Sequence, residues 1–171
     1  MKSIITDALD IRRKHLAVGK PMHFGRGFKE MNIAFSVSLA LQQAGYYAFP
    51  EFPYKGGSID AIFVRGDEVI VCEWKYLSHR SVGSVVAQTK RMLSFKPEGH
   101  LPDFGFKSRK WKTRYLWVAD SWEKRAVDWW LGAPSTIRDK RPFNDKWHVG
   151  SEAFSLGPEF DPYYVWVWAY T

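Results

Sequence analysis

Residues 58–75 read SIDAIFVRGDEVIVCEWK. Two runs rich in Ile, Val and Phe, residues 58–64 and 68–74, are joined through Arg65, Gly66, Asp67 and Glu68. That is the pattern of a β-hairpin, with Gly66 where a type II′ turn needs positive φ. If Gly66 and Asp67 form the turn, Val64 faces Val69, Ile62 faces Val71, and Asp60 faces Glu73. A four-residue loop over 65–68 keeps this register, and a three-residue loop slips it. Side chains alternate between the faces of a strand, so Asp60, Glu73 and Lys75 project from one side. Ile62, Val64, Val69 and Val71 share that side. A solvated hairpin face, with Lys75 as a salt-bridge partner, would be polar along its length. Charge gathered at one end of an otherwise apolar face marks a site instead.

The chain around this hairpin has 171 residues, enough for one domain with a sizeable core. Its composition is globular: 46% hydrophobic and 25% charged. The net charge of +7 favours a polyanionic partner. The nine Trp residues suit either a core or stacking platforms. A single cysteine, Cys72, excludes an intramolecular disulfide framework and falls in an apolar strand, as a small buried hydrophobe would. The five His residues are scattered, without zinc spacing. No segment has the apolar run of a signal peptide or membrane span, so the expected setting is soluble and cytoplasmic, with no membrane partner.

Residues 3–18 read as a helix stopped by Gly19 and Pro21, with Arg12, Arg13 and Lys14 as a basic edge that is read first as a solvated helix end and otherwise as a DNA-contacting arm. A second helix is expected from about Gly27 to Gln43, closed by Gly45. Its stripe at 30, 34, 37, 41 and 44 is apolar except for Glu30, which either complements the helix dipole or points into a polar site. Residues 46–53 form an edge strand, as Pro50 and Pro53 require. Lys55, Gly56 and Gly57 make a turn into the hairpin. A third helix spans 81–95, with Gln88 at its polar border and Lys90, Arg91 and Lys96 on its polar side. Residues 97–112 read as a long loop. Lys107, Arg109, Lys110, Lys112 and Arg114 surround Trp111, a mixture suited to phosphate contact and base stacking. Residues 115–119 form a buried strand, and Asp120 or Ser121 caps a helix ending at Gly132. Residues 133–162 read as loop, with a second basic group of Arg138, Lys140, Arg141 and Lys146. A strand at 163–170 closes the chain. Its aromatic face is read first as sheet packing or a dimer contact. The order implies an α/β fold, a mixed central sheet flanked by helices.

Facing carboxylates raise one another's pKa unless a cation neutralises them. Oxygen ligands without thiolate or imidazole select Mg²⁺ or Mn²⁺. Lys75 can orient an attacking water and stabilise developing charge. Phosphodiester hydrolysis needs this combination.

Asp60, a twelve-residue gap, then Glu73-Trp74-Lys75, with a helical Glu30 upstream, resembles the PD-(D/E)xK nuclease superfamily. Ile59 stands where the family name has Pro. The resemblance implies a restriction-endonuclease-like core of α-β-β-β-α-β order over about 27–131, with the helix at 3–18 and the strand at 163–170 as additions to a single domain. It implies Asp60, Glu73, the Trp74 carbonyl and Glu30 as metal ligands, Lys75 as the catalytic lysine, and Gln88 as an auxiliary on the following helix. The expected activity is Mg²⁺- or Mn²⁺-dependent cleavage of DNA, endonucleolytic before exonucleolytic, in a possible homodimer. The alternative is a non-catalytic nucleic-acid-binding or protein-interaction module on the same fold.

Overall fold

A computed structural model describes residues 1–18, 30–107, 110–154 and 164–171. Among the described residues there are four α-helices: α1 (Lys2–Val18), α2 (Glu30–Gln43), α3 (Val82–Leu93) and α4 (Lys124–Leu131). Six strands among the described residues form one sheet: β1 (Tyr47–Tyr54), β2 (Gly57–Arg65), β3 (Glu68–Tyr76), β4 (Lys112–Ser121), β5 (His148–Ala153) and β6 (Val165–Tyr170). Their order is β1-β2-β3-β4-β6-β5, antiparallel except for the β3–β4 pair. The α/β class with a mixed sheet flanked by helices is therefore observed. β3 and β4 run parallel because α3 carries the chain back to its starting edge, as any parallel connection must.

Two hairpins build the first half of the sheet. Lys55 and Gly56 both have positive φ (48° and 73°), as a two-residue type I′ turn requires. At the second turn Gly66 has φ 59° and Asp67 does not share the positive sign, which fits type II′. The expected register holds as far as Ala61 and Cys72: Val64 faces Val69 and Ile62 faces Val71, but Asp60 and Glu73 are not a ladder pair.

The sheet separates two cores. Ile62, Val64, Val69, Val71 and Leu77 pack with Val82, Val85 and Met92 of α3 and with Trp129 and Trp130 of α4. On the opposite face Ala61, Phe63, Ile70, Cys72, Leu116, Val118 and Trp166 pack with Ile4, Ile5, Ala8 and Leu9 of α1 and with Val37 and Leu41 of α2. The strands between two helical layers are apolar on both faces for this reason. The aromatic terminal strand is part of this packing: β6 is an interior strand, and Tyr164 and Trp166 are fully buried. Tyr163 lies outside the described residues.

Several expectations are corrected. Arg12 is buried, not a solvated edge; its Nη2 lies 2.9 Å from Asp120 Oδ2 and also donates to the Tyr164 hydroxyl. Asp120 is consequently no helix cap but the buried partner of Arg12 near the end of β4. Ser121 does accept the Glu123 N–H, at 3.1 Å, just ahead of α4. The supposed loop over 133–162 contains β5, whose mixed, half-exposed sequence carries no strand signature. The loop over 97–112 contains two short 3₁₀ turns, Pro97–Gly99 and Leu101–Phe104, and β4 begins already at Lys112. The start of α2 near Gly27 falls outside the described residues.

Candidate functional site

The site forms where regular pairing in β2 gives way. The β2–β3 ladder runs from Arg65–Glu68 up to Ala61–Cys72, one pair short of Asp60 and Glu73. The β1–β2 ladder skips Glu51 and Asp60. Glu51 has φ 48°, an uncommon value for a non-glycine residue. Side-chain alternation shifts phase here. Phe49 and Phe52, three residues apart, both face the α3 side, as do Ile59 and Ile62. The two strands thus share a kink at Glu51 and Asp60, and the kink frees Asp60 from the plain in-out alternation.

Asp60 uses that freedom. Its Oδ2 accepts the backbone N–H of Trp74 at 2.9 Å. Its charge also acts on the neighbouring Glu73 carboxyl and raises it. The direct Asp60–Glu73 pairing expected from the register is not part of the ladder; the two carboxyl groups are electrostatic neighbours across the kink.

Glu73 is fully buried. Burial and then the neighbouring Asp60 charge push its carboxyl up to about 8 from an ordinary 4.5, against an opposing pull from Arg91. Glu73 Oε1 is 3.4 Å from Arg91 Nη2, and Oε2 has no hydrogen-bond donor among the described residues. Lys75, two positions on, is half-buried and shares the face of Val71 and Leu77. Trp74 packs on the opposite core and gives the site its N–H.

No protein-family model matches the chain, and neither a curated protein nor a solved structure matches it.

The remaining expected site residues are placed unevenly. Glu30 opens α2, but its side chain lies outside the described residues. Gln88 is half-buried on α3, one turn before Arg91, and its Oε1 accepts a hydrogen bond from the Ser84 hydroxyl at 3.3 Å. Among the described residues no group of three or more His, Cys, Asp and Glu converges; the carboxylates brought together are the pair Asp60 and Glu73.

The basic segments stand apart from the pair. Lys112 is beside Glu68 in the β3–β4 ladder, whereas Glu73 is beside Trp117. At about 3.3 Å per residue, Lys112 lies about 16 Å down the sheet from Glu73. Lys112 is bridged to Asp67 at 2.9 Å, and Trp111 packs half-buried against the core. Arg141 donates to the Trp130 carbonyl at 3.1 Å, serving the C-terminal end of α4. Lys107, Lys110, Arg114, Arg138 and Lys140 are exposed, and Arg109 lies outside the described residues.

Arg91 is the residue that reading the sequence missed. It sits among polar positions of α3, and only the crossing of α3 over β3 brings it to Glu73. A buried acid needs a cation, and that need was the one available signal.

Proposed function

We propose that the chain is a Mg²⁺- or Mn²⁺-dependent nuclease with a restriction-endonuclease-like core, acting on DNA and endonucleolytic in preference to exonucleolytic. The observation that carries this is the neighbouring pair Asp60–Glu73, with one fully buried carboxylate whose Oε2 has no donor among the described residues. A purely structural acid in the core would be fully hydrogen-bonded or replaced by an apolar residue. Support also comes from the element order from α2 to β4, which is α-β-β-β-α-β.

The donor set fits a hard cation, because it offers only oxygen ligands. Asp60 and Glu73 would hold the ion, with the Trp74 carbonyl and Glu30 as further candidates. Such a cation supplies Lewis acidity and lowers the pKa of water that it binds. The protein's own groups do the rest. The kink holds Asp60 against the Trp74 amide, which orients its carboxylate. The core around Glu73 excludes water and strengthens every charge interaction there. Lys75, on the same face, orients the attacking water and stabilises charge on the phosphoryl oxygens. The exposed basic residues Lys107, Lys110, Arg114, Arg138 and Lys140 would contact the flanking backbone.

The test is incubation with plasmid, linear duplex, single-stranded and four-way-junction DNA, with Mg²⁺, Mn²⁺ or EDTA. Cleavage with metal, lost in Lys75→Ala and Asp60→Asn but with DNA binding retained, is expected. Salt-dependent DNA binding without cleavage under any condition would instead leave a binding module.

A further inference from the structure

Arg91 makes a contact with Glu73 that is long for a charge-assisted hydrogen bond. Such bonds lie near 2.7–2.9 Å, whereas Arg91 Nη2 stands 3.4 Å from Glu73 Oε1. The guanidinium is not otherwise well anchored. Its Nε is buried without a hydrogen-bond partner among the described residues, and the side chain is 29% exposed. Gly57 makes room for it: a Cβ at that position would lie 2.8 Å from Arg91 Nη1. Gly57 does not have the positive φ that would otherwise demand glycine. α3, which carries Arg91, is held to the first hairpin by the Tyr54 hydroxyl, which donates to the Ser94 carbonyl at 2.6 Å.

We propose that Arg91 is a built-in counter-ion that competes with the divalent cation for Glu73 and, once displaced, takes a phosphate oxygen of the substrate. This rests on the nuclease reading above. A guanidinium and a divalent cation cannot both approach one buried carboxylate closely without repelling each other. Glu73 therefore has one cationic partner or the other, and the Arg91 head can turn toward the solvent side it already reaches. There its planar fork suits a phosphodiester, whose two oxygens it can take bidentately. Arg91 is thus a positioning residue that links metal loading to substrate binding.

The test measures metal binding directly, through free Mn²⁺ by electron paramagnetic resonance, in wild type, Arg91→Gln and Gly57→Ala. Competition predicts that Arg91→Gln binds Mn²⁺ about three- to tenfold more tightly than wild type, through removal of one nearby positive charge. The same variant should bind a short DNA duplex several-fold more weakly in Ca²⁺, by fluorescence anisotropy. Gly57→Ala, which crowds the guanidinium without removing it, should change Mn²⁺ affinity while circular dichroism stays that of wild type. Unchanged or weaker Mn²⁺ binding in Arg91→Gln overturns the competition and leaves the nuclease reading intact. Absence of Mn²⁺ binding at millimolar concentration in both proteins overturns the metal site itself, and this inference with it. Binding by Arg91→Gln alone supports the competition in its strongest form.

Discussion

Asp60 Oδ2 accepts the Trp74 N–H at 2.9 Å, beyond the last regular pair of the β2–β3 ladder. A side chain has taken over an amide at the point where the strands stop pairing. Asp60 therefore holds β3 and charges the site with the same group. Asp60→Asn keeps an acceptor for the amide and removes the charge; Asp60→Ala removes both. Both variants should lose metal-dependent cleavage. Asp60→Ala should also be less stable than Asp60→Asn by about 1–2 kcal/mol, measured by urea denaturation. Equal stabilities would show that the Trp74 contact contributes nothing.

Glu73 gives the fold a pH dependence of definite sign. Its carboxyl is raised to about 8 from 4.5, so between these values the folded chain holds a proton that the unfolded chain has lost. Stability should be greatest in the acid part of this range and should fall as pH rises toward about 8. Asp120, raised by burial to about 6 from 3.8, acts in the same direction lower in the range. Above about pH 6.5 the decline belongs mainly to Glu73. Thermal melts of Glu73→Gln should be nearly flat from there to about pH 8, and a slope equal to that of wild type would reject the assignment.

Arg12, Asp120 and Tyr164 form a buried polar network between α1 and the sheet. Removing one partner strands the other charge, so Arg12→Ala or Asp120→Ala should cost about 3–5 kcal/mol. Arg12→Met combined with Asp120→Leu should cost much less than the sum of the singles. Additivity in that double-mutant cycle would show that the two side chains are not coupled.

Gly150 faces Trp168 across the β5–β6 pair, and a Cβ there would lie 2.6 Å from the indole ring. Gly150→Ala should destabilise by about 1–3 kcal/mol, because the half-buried ring must move. Gly83 on α3 meets nothing within 4 Å. Gly83→Ala should be neutral or stabilising by up to about 1 kcal/mol through helix propensity. Denaturation of the two variants side by side separates steric crowding from backbone entropy.

The basic residues should divide by their contacts. Arg141→Ala should lower stability by about 1 kcal/mol, since it serves the end of α4. Lys107→Ala and Lys140→Ala should leave stability unchanged and each reduce the salt dependence of DNA binding by about one ion. A change in salt slope for Arg141→Ala alone would reverse this division.

Local signals in the sequence were enough for the four helices, the two hairpins and the interior position of the strand at 115–119, because periodicity and turn residues act over a few positions. They also sufficed for the pairing of Val64 with Val69 and Ile62 with Val71, since a two-residue turn dictates register. β5 escaped because an edge strand of mixed polarity, His148–Ala153, has no alternation to show; pairing with β6 creates it. Arg12 escaped because its charge outweighs its place on the buried stripe of α1, and only Asp120, over a hundred residues away, makes that burial tolerable.

The order of apolar and charged residues in 68–75 was by itself sufficient to put Glu73 and Lys75 on the face of Val69 and Val71, because strand geometry is local; it was not sufficient to place Asp60, since the pairing assumed for it stops one residue short. Three features were left to the tertiary structure: the kink shared by Glu51 and Asp60, the full burial of Glu73, and the approach of Arg91 from α3. Each depends on how separate elements pack, and no periodicity within one element encodes the distance to another.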